Sequence, residues 1–334
     1  MKVALICRNF NKNSGQGIYK IAEYLYENLK KYSNLEIEKI ESENKNPYFF
    51  DLIECPRKVW SSDVDIYHFL MPEVCLPALL SKQVREKSVA TIHDTIVYKI
   101  RERKWLSAKY IKLMYNIAKN AKIIHTPSFQ GKSDIIKFLR VDKEKIKVIP
   151  WSVDLEFFRP FRKKEKNKAL TAGYLGGLGK RKNVEWIIKV AKKFENSIIF
   201  KIAGVGPRLI PLKKLTQKLE AKNVEFVGFI PEKDLPEFYN SLDIFIFPSL
   251  YEGFGVPLLE AIACEVPYII GTNAGIGENL PIYKINSFKQ LEEILKKIKE
   301  RKLEPLKNQR RWIIENRLTW KENVNKLIEV YKSV

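Results

Sequence analysis

Short apolar runs and longer amphipathic stretches alternate along almost the whole chain. "KVALIC", at residues 2–7, is apolar after its lysine and reads as a buried strand. Behind it, "GIYKIAEYLYENLKK" sets Ile18, Ile21, Ala22, Leu25 and Leu29 on one helical face. "VDIYHFL", "SVATIH", "KIIHTPS" and "IKVIP" continue as strands, with helical segments after most of them. Past Pro150 the chain runs through "WSVDLEFFRP" into "FRKKEKNK", a charged run without apolar period. A domain boundary is expected there.

The alternation then restarts. Strand "ALTAGYLG", helix "NVEWIIKVAKKF", strand "SIIFKIAG", helix "LKKLTQKLEA" and strand "VEFVGFI" come first. Helix "PEKDLPEFYNSL", strand "DIFIFPS", helix "PLLEAIAC" and strand "PYIIGTN" follow. Such alternation builds parallel sheets covered by helices on both faces. Two runs of it predict an α/β protein of two doubly wound domains. Ligands in these folds bind at the carboxyl ends of strands, so a site between the domains is expected. The tail, "RRWIIENRLTWKENVNKLIEVYKSV", reads as one or two helices anchored by Trp312, Trp320, Leu327 and Tyr331. The expected division is 1–158, 159–311, and a C-terminal helix, 312–334, returning to the first domain.

Composition narrows the class. The 334 residues are 45% hydrophobic and 30% charged, which suits a globular chain too long for one core. Cys7, Cys55, Cys75 and Cys264 form no C-x-x-C pair, so neither a disulfide framework nor a zinc site is suggested. His68, His93 and His125 are too scattered for a metal cluster, and no metal is expected. No run approaches the roughly 18 apolar residues that span a bilayer, and the N-terminus does not read as a signal peptide. A soluble, cytoplasmic protein is the expectation.

Charge adds a partner class. Sixty basic against 39 acidic residues leave a net +21, which favours nucleic acid, an acidic membrane surface or phosphorylated substrates. Residues 99–122 carry eight basic side chains against Glu102 alone, and residues 284–334 carry fourteen against seven. A Lys/Glu/Ile-rich surface also suits a hot habitat, which explains the number of charges but not their sign. The stretch "YKIRERKWLSAKYIKLMY" is basic and aromatic, as a peripheral membrane contact would be. Leu106, Tyr110, Leu113, Met114 and Ile117 have the helical spacing of ordinary core as well.

Five segments could carry chemistry. In "NSGQGIYK", Gly15 and Gly17 open a helix, where backbone N–H groups can approach a phosphate or sugar; a plain tight turn would use them equally. Lys20 stands where a dinucleotide fingerprint has its third glycine. "GYLGGLGKRKN" sets Lys180, Arg181 and Lys182 just past a glycine-rich loop, suited to a diphosphate or simply to solvent. "IAGVGP" reads as turn chemistry, and "TIHDTI" places His93 and Asp94 directly after a strand. In "SLYEGFGVPLLEA", Gly253 and Gly255 make a turn, Pro257 suits the first helical position, and Glu260 falls in the first turn, where it would offset the helix dipole. Glu252 has no such structural reason.

Taken together these segments resemble the retaining GT-B glycosyltransferases of family 4. "EGFGVPLLEA" matches their E-x7-E motif, and "SGQGIYKIAEYL", "IHDTI", "HTPSFQGKSDI", "VIPWSVD", "GYLGGLGKRKN" and "IAGVGP" extend the likeness over nearly the whole chain. The resemblance implies two Rossmann-like domains facing a central cleft. It implies transfer of a hexose from a UDP- or GDP-linked donor to a glycan or lipid-linked acceptor, with retention, without metal, and with the nucleotide sugar as co-substrate rather than cofactor. Glu260 would bond the ribose hydroxyls. Glu252, with Gly253, Phe254 and Gly255, would lie beside the donor sugar and phosphates. Lys182 and Arg181 would hold the diphosphate, His93 would face the sugar, and Gly15 and Gly17 would line the phosphate and acceptor side. By the same resemblance the protein would work in polysaccharide or glycolipid synthesis; the basic, aromatic stretch would place it peripherally at the inner face of the cell membrane.

Three departures stand out. Gly177 occupies a place where arginine is commoner, Trp151-Ser152 replaces the usual Asn-Gly, and the region holding Glu278 is short. A nucleotide-sugar epimerase of the same fold is the alternative enzyme. A nucleic-acid-binding role finds no helix-turn-helix, RNP, KH or zinc pattern to support it, and no nucleic-acid partner is expected.

Overall fold

The computed structural model describes residues 1–44, 46–100, 105–161, 169–272 and 280–334. The charged runs 162–168 and 101–104 and Glu278 lie outside the described residues. Two compact units are present: Met1–Trp151 with Trp320–Val334, and Ser152–Thr319.

The first unit is built on β1 (Lys2–Ile6), β2 (Glu36–Ile40), β3 (Ile66–Phe69), β4 (Ser88–Thr91), β5 (Ile123–Thr126) and β6 (Ile146–Val148). They form one parallel sheet in the order β2-β1-β3-β4-β5-β6. β3, β4 and β5 are buried at every position, because a parallel sheet with helices on both faces leaves no side for solvent. β2, "EIEKI", is a sheet edge and mostly half-exposed. Its charged pattern gave no strand signal.

The second unit holds β7 (Leu170–Leu175), β8 (Ile198–Ala203), β9 (Val224–Gly228), β10 (Ile244–Phe247), β11 (Tyr268–Thr272) and β12 (Tyr283–Ile285). The order is β12-β11-β10-β7-β8-β9, again all parallel. β12, three residues at an edge, was likewise not anticipated. From β7 the chain builds outward through β8 and β9, then returns to place β10 on the other side of β7. The carboxyl ends of β7 and β10 therefore flank a topological switch point, where open α/β sheets bind ligands.

Both chain crossings lie a few residues from their expected places. Val153 pairs with Thr319, and Val153 N–H donates to the Leu318 carbonyl at 3.2 Å. Phe158 packs edge-on against Tyr239, and its carbonyl accepts from Arg310 at 2.8 Å. These bonds hold 152–158 and 309–319 in the second unit, so the division falls at 151/152 and 319/320 rather than at 158 and 311. The tail is two helices, Gln309–Glu315 and Trp320–Lys332. Trp320, Leu327 and Tyr331 are buried anchors, but Trp312 is only half-buried and Ile313 takes its place.

The last helix packs on Gly17–Leu29, with the Tyr24 and Trp320 rings stacked at 5.5 Å. Each buried large side chain there contributes about 1.5–3 kcal/mol. Its Tyr331 also starts a buried polar chain. The contacts are Tyr331 Oη to His68 Nδ1 at 2.7 Å, His68 Nε2 to Thr91 Oγ1 at 2.8 Å, Thr91 Oγ1 to His125 Nδ1 at 2.9 Å, and His125 Nε2 to the Ile149 carbonyl at 2.9 Å. A carbonyl only accepts, so His125 carries its proton on Nε2 and receives one at Nδ1 from Thr91. Thr91 then accepts from His68 Nε2–H, and Tyr331 donates to His68 Nδ1. Direction is thereby set along the whole chain. Burial holds both imidazoles neutral, lowering His68 well below its usual range and His125 to about 4.

One core expectation fails. In helix Trp105–Ala118, Met114 and Ile117 are buried, but Leu106 and Leu113 face solvent. The helix presents an apolar face outward as well as inward.

Candidate functional site

At the switch point of the second sheet, the loop after β7 is locked to the loop after β8 backbone to backbone. Leu178 N–H donates to the Val205 carbonyl at 3.0 Å, and Arg208 N–H donates to the Leu178 carbonyl at 3.1 Å. Gly204 has φ 129°, and a Cβ there would come within 1.9 Å of the Gly176 oxygen. Only glycine allows that approach. "IAGVGP" is therefore more than a turn: it fixes the glycine-rich loop that delivers the short helix Lys180–Lys182.

Arg181 and Lys182 meet Glu252 from the loop after β10. Leu250 N–H donates to the Arg181 carbonyl at 2.7 Å, which fastens the two loops together. Glu252 Oε1 accepts from Arg181 Nη1 at 2.7 Å, Lys182 Nζ at 2.5 Å and Ser249 Oγ at 2.5 Å. Glu252 Oε2 has no hydrogen bond to the described residues. Burial raises the pKa of this carboxyl, but the charges of Lys182 and Arg181 outweigh it, and the net direction is down. Arg181 also reaches the Tyr251 carbonyl at 3.0 Å, and the Lys182 ammonium lies 4.9 Å from the Phe247 ring centre. Glu252, which the sequence left without a structural reason, has one: it is the counter-ion of both cations. Two cationic side chains beside a glycine-rich loop suit an anion.

The helix after this loop begins one residue earlier than expected. Gly255, with φ 88°, takes the cap position, so Val256 is the first helical residue and Pro257 the second. Glu260 is then fifth, beyond the first turn, and does not compensate the dipole. It is 2% exposed and accepts from the Tyr239 hydroxyl at 2.7 Å. Gly253 and Phe254 form the bend between the two glutamates, with Phe254 buried.

In the first unit, His93 follows β4 and donates from Nε2 to the Leu70 carbonyl at 2.8 Å. Nδ1 is thereby the unprotonated nitrogen, and burial lowers the imidazole pKa. Its ring stacks on Trp151 at 5.3 Å, and Trp151 meets His125 edge-on at 5.0 Å. The unusual tryptophan is thus a buried platform for His93. Gly15 has φ 73°, and Gly17 is the first residue of its helix, with nothing within 4 Å of an added Cβ. Packing does not demand a glycine at 17.

The structure gathers Arg181, Lys182, Glu252, Gly253, Phe254, Gly255 and Glu260 in the second unit, and Gly15, Gly17 and His93 in the first. Sequence reasoning missed Ser249 and Tyr239, the partners of the two glutamates. Serine and tyrosine carry no distinctive spacing, so nothing local marked them. Among the described residues no group of three or more His, Cys, Asp or Glu could hold a metal ion.

Residues 3–157 match the family model described as Glycosyltransferase Family 4, and residues 156–313 match that of Glycosyl transferases group 1. The chain belongs to glycosyltransferase family 4. It is 26% identical over 247 residues to the O-antigen chain mannosyltransferase B of Escherichia coli, covering 69% of this chain and 63% of that one. It is 30% identical to the O-antigen chain mannosyltransferase RfbU of Salmonella typhimurium, over 58% of each chain. It is also 30% identical to the Escherichia coli UDP-Gal:alpha-D-GlcNAc-diphosphoundecaprenol alpha-1,3-galactosyltransferase, over 56% of this chain and 52% of that one. The chain thus spans between half and two thirds of the length of these relatives. Among solved structures, Anabaena Alr3699/HepE in complex with UDP and glucose aligns over 100% of both chains with a TM-score of 0.79 at 15% identity. The sucrose-phosphate synthase of Thermosynechococcus elongatus aligns over 99% of this chain and 98% of its own with a TM-score of 0.83 at 15% identity. At that identity the likeness establishes the fold, which is GT-B.

Proposed function

We propose that this glycosyltransferase moves a hexose from a UDP- or GDP-linked donor to a glycan or lipid-linked acceptor, retaining the anomeric configuration and needing no metal. The observation that carries this reading is the convergence of Arg181, Lys182 and Ser249 on one oxygen of Glu252 at the switch point. With Oε1 so engaged, the carboxylate is oriented and Oε2 is left to accept from a sugar hydroxyl. Arg181 and Lys182 hold the diphosphate and stabilise the charge that builds on it as the glycosidic bond breaks. Glu260 accepts from the ribose hydroxyls, and its Tyr239 bond holds it in place. His93 is assigned a contact with the sugar, and Gly15 and Gly17 leave room for the phosphates and acceptor.

The galactosyltransferase relative acts on a diphosphoundecaprenol-linked sugar by its name, and the two O-antigen relatives are mannosyltransferases. These names support a lipid-linked or glycan acceptor and leave both donor bases in play. Work at the cytoplasmic face of a membrane belongs to the same reading.

A thermal-shift panel of nucleoside diphosphates and nucleotide sugars tests it. A ligand at a hundred times its Kd stabilises by about 2.7 kcal/mol, and UDP or GDP should give the largest shift. No shift with any nucleoside diphosphate would sink the donor assignment. Interconversion of the donor without acceptor would favour an epimerase, and inversion at the anomeric carbon of the product would overturn retention.

A further inference from the structure

Trp151 departs from the usual Asn-Gly pair and is 2% exposed, just past the end of β6. Its indole lies against His93, with 5.3 Å between ring centres and 28° between planes. The same indole meets the edge of His125 at 5.0 Å and 89°. One imidazole is therefore laid flat on it, and another stands against it.

The two histidines differ in freedom. His93 is half-buried and makes a single hydrogen bond to the described residues, Nε2–H to the Leu70 carbonyl at 2.8 Å. One such bond selects the tautomer, but it leaves the ring able to turn about that bond. A flat surface against the ring removes the turn. His125 has no such latitude, because both of its nitrogens are engaged, Nδ1 by Thr91 and Nε2 by the Ile149 carbonyl, each at 2.9 Å. Thr91 is held by His68, and His68 by Tyr331 at 2.7 Å. Fixed groups thus run from the last helix across β3, β4 and β5 to Trp151. They end on His93, whose Nδ1 is an acceptor without a partner among the described residues. All of them belong to the first unit.

We propose that Trp151 is a positioning residue for the transfer. It holds the plane of the His93 imidazole, so that Nδ1 keeps one direction for the donor-sugar hydroxyl from which it accepts. The inference rests on the sugar contact proposed for His93. A ring free to turn loses that direction for part of the time, and misplacement by about 1 Å can cost about 100-fold in rate. A side chain that only filled space would need volume there and no flat face. The contacts assigned to Arg181, Lys182 and Glu260 do not involve Trp151, so nucleoside diphosphate affinity is independent of it.

Two variants separate flatness from bulk. Trp151→Leu keeps an apolar filler without the flat face, and Trp151→Phe keeps a flat face. Each is read, alone and with His93→Ala, by transfer kinetics and by calorimetry with UDP and GDP; imidazole nitrogen resonances are read where His93 is present. Trp151→Leu should lower kcat about 10- to 100-fold with nucleoside diphosphate affinity unchanged. It should also mix the two His93 tautomers, where the wild type shows Nε2–H alone. Trp151→Phe should recover most of kcat and the single tautomer. In the His93→Ala background Trp151→Leu should cost nothing further, because residues acting through one contact are not additive.

A leucine variant with the wild-type tautomer signature would overturn the proposal. So would one whose loss is undiminished in the His93→Ala background, which would leave Trp151 a core side chain. Should Trp151→Leu not fold, Trp151→Met, an unbranched filler, takes its place with the same outcomes. Wild-type transfer by His93→Ala alone would sink the sugar contact itself, and the tautomer readout tells that result apart from a failure of Trp151 to hold the ring.

Discussion

Lys182 Nζ stands 2.5 Å from Glu252 Oε1, across 70 residues of sequence, so the candidate site holds its own counter-ion before any anion arrives. Glu252 is 8% exposed, and the Lys182 side chain is 11% exposed. Arg181 shares the same oxygen at 2.7 Å, so one carboxylate orients both cations.

Removing Lys182 should weaken the anion site. Lys182→Ala leaves Glu252 with Arg181 and Ser249 and takes one positive charge from the loop. Hydrogen bonds to charged groups are worth about 1.5–3 kcal/mol, so UDP or GDP binding should weaken about 10- to 100-fold by calorimetry. The effect should shrink as salt rises, and unchanged affinity would remove Lys182 from the phosphate site.

The opposite change separates binding from chemistry. Glu252→Gln keeps the shape but leaves both cations without their carboxylate. Nucleoside diphosphate should then bind at least as tightly as before, while kcat falls by about 100-fold or more. Equal loss in affinity and rate would mean that Glu252 only positions the cations. Stability should drop as well, toward the lower end of the roughly 3–5 kcal/mol seen when a buried pair loses one partner, because the Arg181 side chain is 25% exposed.

Gly17 offers a test of space kept for a ligand. Nothing lies within 4 Å of a Cβ at that position, and the residue is helical. Gly17→Ala should leave stability unchanged or raise it by about 0.5–1 kcal/mol. A variant with normal unfolding but a raised KM supports the substrate-side role; normal kinetics would make Gly17 incidental.

Tyr331→Phe removes the first donor of the histidine chain and leaves His68 Nδ1 buried without one. The expected cost is about 1–3 kcal/mol, seen as a lower denaturant midpoint with nucleotide binding intact. An unchanged midpoint would show that the hydrogen bond contributes nothing net.

The same chain predicts a pH dependence. His125 is held at about 4 in the folded protein, against 6.5 for an ordinary histidine. Between those values the unfolded chain binds the proton and the folded one does not, so stability rises with pH across the window. The contribution is full above about pH 6.5 and fades as pH falls toward 4, about 3 kcal/mol in all. His68 shifts in the same direction. Imidazole nitrogen resonances should stay those of neutral rings at pH 6.5 and below, with His125 protonating only as pH nears 4; protonation near the ordinary value would contradict the buried chain.

Much of the fold was legible in the residues. The strands buried on both faces, β1, β3, β4, β5 and β10, showed as apolar runs because nothing polar survives there. β2 and β12 escaped because an edge strand needs no such run. In the site, the residue types of "GKRKN" and "YEGFGVPLLEA" pointed to the right loops. Their pairings were not visible: Ser249 and Tyr239 looked like any serine or tyrosine, and Glu260 looked like a first-turn acid until Gly255 fixed the helix start.

The sequence by itself determined the α/β class, the two doubly wound runs and the loops that carry charge, since periodicity and turn chemistry act over a few residues. Only the tertiary structure decided which charges meet. The parallel order β10-β7-β8 brings Arg181 and Lys182 to Glu252, and the return of helix Trp320–Lys332 brings Tyr331 to His68. Such contacts depend on strand order and register, which arise from packing across the whole sheet. The exposure of Leu106 and Leu113 was settled the same way. Helical spacing put them on one face, and only the neighbours of that face could turn it outward.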